Sequence, residues 1–483
     1  MPISDRIGGF IKPGYFPLKI PDAPTIGAAS TSEAIGSNAI SIAFTAPSNV
    51  GGGAITSYEA TATDTVTAAT VTETGSSTPI VVTGLSNGQT YTVTVSATNA
   101  YGGSLLSAAS NSATAAVFTG RLFAWGDNTT YGQLGLGNTT DYSSPVQVGA
   151  LTTWALTAVG GGYGSAPSSF AIKLDGTLWA VGRNNWGQLG QGNTTDYSSP
   201  VQIGALTNWS KLTNGNGRYG LSVKTDGTLW AWGLNQNGSL GTGNTTEYSS
   251  PVQIGALTNW LDVSAMYAAT IGLKTDGTMW SWGKNIAGQL GLGNTTYYSS
   301  PVQIGALTTW SAISAGGWWA MGLKTDGTVW CWGANAHGQL GQGNTTEYSS
   351  PVQVGALTTW SKICGGDTGY GTTGSASGIK TDGTLWMWGS GATGVLGLGN
   401  TTNYSSPKQV GALTDWSVNS VGRQQCQAIK TDGTLWAWGD NGQGALGIGS
   451  TADKHSPVQV GALNTWVAVA PGNMGKHRWA ITT

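Results

Sequence analysis

Apolar and polar residues alternate with a period of two in short runs, such as Ile40, Ile42 and Phe44, then Ile55 to Tyr58, then Tyr91, Val93 and Val95. Gly, Asn and Pro turns separate the runs. A strand points successive side chains to opposite faces, so each run predicts a strand with one buried face. Over residues 22–117 the runs predict one β-sandwich of about seven strands.

A second pattern begins near residue 121. A glycine closing a Trp-rich strand recurs at Gly126, Gly182, Gly233, Gly283, Gly333, Gly389 and Gly439, in steps of 50 to 56 residues. The unit reads TLWAWG-x4-GQLG-x-GNTTxYSSPVQIGALTxW, then a less regular stretch, then KTDG. A period near 50 with four short strands per unit predicts a β-propeller, here of seven blades over residues 118–483. We label the strands A (after the Trp of ALTxW), B (ending in KTDG), C (TLWAWG) and D (SPVQV). The segment starts on a C and a D and ends on an A and a B. The last blade should therefore combine the N- and C-terminal strands of the segment, closing the ring and removing exposed edges. The Trp pair of TLWAWG sits at i and i+2 and faces one side of its strand. The Asp-Gly pair of TDGT predicts a type I′ hairpin turn.

Two resemblances rest on these motifs. GLSNGQTYTVTVSATNAYGGS, Gly84 to Ser104, resembles the end of a fibronectin type III domain, which makes Tyr91 a corner tyrosine tying loop to strand. The repeat closely resembles the family named after the regulator of chromosome condensation. Members of that family serve as nucleotide-exchange factors, light sensors, ubiquitin-ligase modules and enzyme inhibitors, so the resemblance implies a fold more than a task. The fold class expected is all-β: an N-terminal extended arm (1–21), a fibronectin type III-like β-sandwich (22–117) and a seven-bladed β-propeller (118–483).

Composition narrows the functions. The net charge is −2 with no basic block, which does not suit an electrostatic nucleic-acid binder. No apolar run approaches a membrane span. The first 20 residues lack the apolar core of a signal peptide. Cys331, Cys364 and Cys426 have no metal or redox spacing and read as small buried residues. His337, His455 and His477 lie in different repeats at unrelated phases, and no carboxylate pair or phosphate loop recurs. Neither catalysis nor a metal nor another cofactor is expected.

Comparing the repeats locates a recognition surface. The B–C turn and the D–A link barely change, whereas the A–B connections and the openings of the C–D loops vary widely. Strands alternate direction, so both variable elements fall on one face. Loops on a rigid scaffold commonly carry binding. On that face Tyr163, Trp186, Arg218, Tyr219, Trp318, Trp319, Tyr370, Arg423, His477 and Arg478 are the candidate partner- or receptor-binding residues, because Trp, Tyr and Arg dominate binding energy. The arm offers Phe10, Tyr15 and Phe16 as docking anchors. An arm, a spacer and an adhesive head together suggest an external virion protein (capsid decoration, spike or fibre). Its arm would dock on a capsid or tail protein, and its propeller would meet a host-surface glycan or protein. The alternatives are a bacterial surface or secreted adhesion protein, or an intracellular protein-binding propeller. No coiled-coil segment sets an oligomeric state.

Overall fold

The computed structural model describes residues 19–31, 39–86, 88–115, 120–161, 167–367, 374–473 and 475–483. The chain divides into two compact units, residues 1–118 and 119–483.

The first unit is a sandwich. One sheet orders Thr25–Thr31, Ile40–Thr45 and Ile80–Val82; the other orders Thr70–Gly75, Ile55–Asp64, Thr90–Asn99 and Gly102–Gly103, with Ala113–Thr114 also on Thr90–Asn99. In Thr90–Asn99 every second residue is buried, starting at Tyr91. Tyr91, Val93, Val95 and Ala97 meet Ile40, Ile42, Phe44 and Tyr58 in one core. The Tyr91 hydroxyl accepts the Ser86 N–H at 3.0 Å, the corner contact the motif implied. Phe10, Tyr15 and Phe16 lie outside the described residues. From Lys19 onward the chain is bonded to the sandwich: the Lys19 N–H reaches the Gly51 carbonyl at 2.9 Å, and Asn99 Nδ2 reaches the Lys19 carbonyl at 3.0 Å.

The second unit is a ring of blades with strand order D–C–B–A. The A strands are Trp154–Gly160, Trp209–Gly215, Trp260–Ala265, Trp310–Ala315, Trp360–Asp367, Trp416–Val421 and Trp466–Val469, and we number the blades first to seventh by them. Successive A strands pack on one another around the axis, which leaves the D strands outermost. The seventh blade joins C and D strands Arg121–Gly126 and Tyr142–Gln147 to A and B strands Trp466–Val469 and His477–Thr482, as the strand phase predicted. Thr482 and Arg121 sit opposite each other in the ladder, so the two ends of the segment stand where other blades carry the KTDG turn. The seventh blade also contributes Gly472–Asn473, which pairs in parallel with Val159 and Gly160 of the first blade.

Three devices bind blade to blade. A glycine N–H in each C–D loop donates to the next D strand, from Gly137 to Ser198 at 2.8 Å round to Gly449 and Ser143 at 2.8 Å, which closes the ring. In six blades the Trp just before the glycine that ends the C strand donates its indole N–H to the preceding blade, as Trp232 does to the Gln188 carbonyl at 2.8 Å. The first blade has Val181 there. Nearer the axis, Thr213, Ser264 and Ser314 accept the N–H groups of Ala265, Ala315 and Gly365 at 2.9–3.1 Å. Cys364 continues the series, its sulfur 3.3 Å from the Val421 nitrogen. All three cysteines are buried and free, and burial pushes their thiols up.

The KTDG turn differs from the expected type I′. Among the turn residues 174–176 of the first blade only Gly176 has a positive φ (+74°), and its N–H returns to the Lys173 carbonyl at 2.9 Å. This is the longer hairpin loop with a left-handed glycine. Asp175 turns inward to hold Thr177: its Oδ1 accepts the Thr177 N–H at 2.9 Å and hydroxyl at 2.6 Å. The Thr177 Oγ1 in turn accepts the Trp179 indole N–H at 2.8 Å. Lys173 Nζ lies 3.6 Å from the Trp179 ring centroid and 5.1 Å from that of Trp154, so its charge rests on aromatic faces. The same pairing recurs at Lys224, Lys274, Lys324, Lys380 and Lys430.

Candidate functional site

The strand register settles which loops share a face. Tyr219, which opens a B strand, pairs with Gly215 at the end of its A strand and with Gly233 at the end of its C strand. The A–B and C–D loops therefore emerge together, opposite the KTDG turns.

On that face the loops of neighbouring blades build a ladder of rings and cations. Arg183 lies over Tyr131, 4.8 Å from its centroid, and near Trp186 at 5.6 Å. Arg218 follows, 5.5 Å from Trp186 and 4.9 Å from Tyr267. The Tyr267 N–H reaches the Gly317 carbonyl at 3.1 Å, and the next residue, Trp318, carries Lys284 4.8 Å from its centroid. Tyr131, Arg183, Trp186, Arg218, Tyr267, Lys284 and Trp318 are all half-buried: their flanks are fixed and their edges face out. Asp127 opens the loop that carries Tyr131; burial outweighs the Thr129 N–H bond and holds its carboxyl above the usual range.

Local sequence sets the ladder. Asn216 and Gly217 have φ of 53° and 71°, the two left-handed residues of an Asn-Gly hairpin turn. The Arg218 N–H closes this turn on the Gly215 carbonyl at 3.0 Å, while Asn214 Oδ1 holds the Gly217 N–H at 2.8 Å. The turn lifts Arg218 between Trp186 and Tyr267. In the first blade, the Trp186 backbone N–H donates to Gln188 Oε1 at 2.8 Å, which fixes the loop that carries the ring.

Of the residues proposed from sequence, Trp186, Arg218 and Trp318 come together in this ladder. Arg423 is half-buried in the A–B loop of the sixth blade, apart from it. Tyr163 and Tyr370 lie outside the described residues. Tyr219, Trp319, His477 and Arg478 need correction: none is more than 1% exposed. Tyr219, Trp319 and His477 each open a B strand, opposite the glycine that ends the C strand, at a position that points between blades. The Tyr219 hydroxyl lies 2.9 and 2.7 Å from the carbonyl oxygens of Met266 and Ala269 in the next blade, which share its one hydrogen. Trp319 fills space left by Gly316 and Gly374, where a Cβ would overlap its indole. His477 Nε2 lies 2.8 Å from Ser169 Oγ; burial, with Arg478 adjacent, drives its pKa down to about 3. Arg478 bonds Gln425 Oε1 at 2.8 Å, and burial lowers its pKa to about 10.

The sequence reading missed Tyr131, Arg183, Tyr267 and Lys284. Each stands in a variable loop, and a search for an aromatic in one loop facing a cation in the loop of the same or next blade would have found them. Among the described residues no three His, Cys, Asp or Glu side chains stand together as metal ligands.

Comparison with known proteins agrees with this architecture. The Regulator of chromosome condensation (RCC1) repeat family matches seven segments: 119–166, 175–217, 226–268, 276–323, 326–369, 382–429 and 432–475. The Fibronectin type III domain family matches 22–113. The chain is 33% identical over 136 residues to the ultraviolet-B receptor UVR8 of Arabidopsis thaliana, covering 28% of this chain and 30% of the receptor. It is 40% identical over 91 residues to mouse (Mus musculus) RCC2, covering 18% of each. The matches thus span less than a third of these relatives. Among solved structures, human WBSCR16 aligns with a TM-score of 0.65 at 20% identity, over 75% of this chain and 99% of that one. Prp20p of Saccharomyces cerevisiae aligns with 0.65 at 18% identity, over 76% and 92%. At these identities the two structures speak for the fold alone.

Proposed function

This chain belongs to the regulator of chromosome condensation (RCC1) repeat family, and we propose that it is a non-catalytic propeller that takes a protein partner on its A–B/C–D face. The observation that carries this reading is the ladder from Tyr131 to Trp318. Clustered Trp, Tyr and Arg side chains, held rigid and half-buried, are what concentrates binding energy at an interface. Little ordering entropy remains to be lost there on binding. Prp20p has binding properties toward Gsp1p and histones, so a propeller of this fold does receive proteins. The test is a tagged full-length chain and its Trp186→Ala/Arg218→Ala variant, each used to capture partners from the native source. A partner lost with the variant and recovered with the parent supports the reading. Equal capture by both contradicts it.

We further propose where such a propeller works. A fibronectin type III sandwich ahead of a binding head suits a displayed protein. The reading is a virion exterior component, with the arm on a capsid or tail protein and the head toward a host-surface protein or glycan. A secreted or surface adhesion protein is the neighbouring alternative, and an intracellular protein-binding propeller suits the family no less well. Imaging the native assembly separates them. Phe10, Tyr15 and Phe16 seated in a groove of a particle protein would support the virion reading, and absence of the chain from any particle would end it.

A further inference from the structure

A second set of sites lies away from the ladder, at the junctions between blades on the side of the constant D–A links. Three of these junctions form grooves of about 480, 340 and 440 Å³. The first is lined by Gln147, Leu151, Trp154, Trp179, Ser199 and Pro200 among others. The second and third repeat the arrangement at the same repeat positions, around Leu307, Trp310 and Trp330 and around Leu357, Trp360 and Trp386. In each groove a half-buried C-strand Trp and an exposed Leu flank the A-strand Trp, a Ser-Pro pair from the D strand of the same blade extends that wall, and the D-strand Gln of the preceding blade faces it.

Three observations point to a ligand. The leucine of the D–A link stays exposed in all seven repeats, from Leu151 to Leu463, at 44–49%. The variable loops have diverged in these same seven copies, whereas this leucine, the Gln of the D strand and the Ser-Pro pair are identical in every one. Packing does not demand an exposed leucine. Finally, the A-strand Trp carries a buried indole N–H without an acceptor in every blade: Trp154, Trp209, Trp260, Trp310, Trp360, Trp416 and Trp466. Buried donors are usually satisfied, so seven equivalent orphans call for an explanation.

The lining defines the chemistry. The residues that line the three grooves are uncharged, and the cation beside each, Lys173, Lys324 or Lys380, is already seated on the faces of the two groove Trp rings. With that cation held by two rings and no other charge in the lining, the grooves favour neutral ligands over phosphates, nucleic acids, acidic glycans and charged peptides. What remains is an aromatic and aliphatic wall with neutral amide and hydroxyl groups at its edge, in a volume typical of small-ligand sites. A pyranose has that complement, an apolar C–H face and a rim of neutral hydroxyls. Each groove holds one C-strand ring, and the next such ring belongs to the next blade, which suits separate sugar units better than one continuous proline-rich peptide. We propose that the inter-blade grooves are a ring of equivalent sites for a neutral polysaccharide. Ring-wide repetition would convert a weak single site into avidity of about 10²–10⁴ over one site. This proposal does not rest on the partner face above: of its loops only the constant Gly-rich stretch of the C–D loop, such as Gly135 and Leu136, borders a groove, and no residue of the ladder does.

The experiment is affinity electrophoresis of the full chain through gels containing dextran, mannan, xylan or galactan, with dextran sulfate as the charged comparison. Tryptophan fluorescence is read in parallel. The expected result is retardation by at least one neutral polymer, with a fluorescence change. Replacing the leucine of all seven D–A links by Ser should weaken retardation at least tenfold, and replacing only Leu307, Leu357 and Leu413 should give an intermediate loss. These side chains are exposed, and the melting temperature checks that the variants fold. Migration unaltered by all four neutral polymers would overturn the proposal. So would retardation that ignores the leucines, or a fluorescence response to a polyproline peptide in place of the glycans.

Discussion

His477 Nε2 and Ser169 Oγ are 2.8 Å apart in the interior, joining the B strand of the seventh blade to that of the first. Ser169 also donates to the Gln133 carbonyl at 3.0 Å. That carbonyl is the counterpart of the one that Trp232 reaches in the next blade; with Val181 in place of Trp, the serine takes over the bond. The ring is thus closed at this junction by a polar relay where other junctions use an indole.

The relay makes closure acid-sensitive. Burial holds His477 neutral, with its pKa lowered from 6.5 to about 3. Between those values the unfolded chain binds a proton that the folded chain does not. Stability is therefore full above about pH 6.5 and falls as pH drops toward 3, by about 1–2 kcal/mol at pH 5. Denaturation at pH 7.5 and 5 should show this drop, and His477→Gln should flatten it. A drop of the same size in the variant would show that other groups are responsible.

Trp319 and its glycines should behave as one unit. Gly374→Ala places a Cβ inside the indole and should destabilise by about 1–3 kcal/mol, as overpacking does. Trp319→Val should cost a similar or larger amount through the cavity it leaves. With both changes the losses should not add, because the smaller side chain makes room for the new methyl. Chemical denaturation of the four proteins gives the coupling directly; strictly additive losses would separate the two sites.

The indole bridges should each contribute measurably. Trp232→Phe keeps a ring against Trp209 and Phe170 but strands the Gln188 carbonyl. Loss of one such bond should cost about 1–3 kcal/mol in guanidinium denaturation. A change below about 0.5 kcal/mol would mean that water or a neighbour replaces the indole, a surface-like response.

The repeat period and strand phase were enough to place the blades, the closing blade and the variable face. Each depends on a pattern that recurs seven times. The site was less accessible for a definite reason. Variation between repeats marks two kinds of position: solvent-facing loops, and inter-blade positions where a large residue must match a small one. Tyr219 and Trp319 are of the second kind. Their bulk is balanced by glycines, Gly215 across the same hairpin for Tyr219 and Gly374 in the next blade for Trp319, so variation alone could not tell them from Trp186 and Trp318. The ladder was hidden too, because it depends on which loop reaches across to its neighbour. The KTDG charge has a comparable history: Lys173 settles on Trp179, a contact invisible until both strands are paired.

The central claim is that partners bind along the ladder from Tyr131 to Trp318. The most direct measurement is hydrogen exchange of the full chain, free and bound to a captured partner. The account predicts slowed exchange in residues 183–188, 216–219, 266–268 and 316–319, with KTDG turns unchanged. Protection confined to those turns and the D–A links would contradict it.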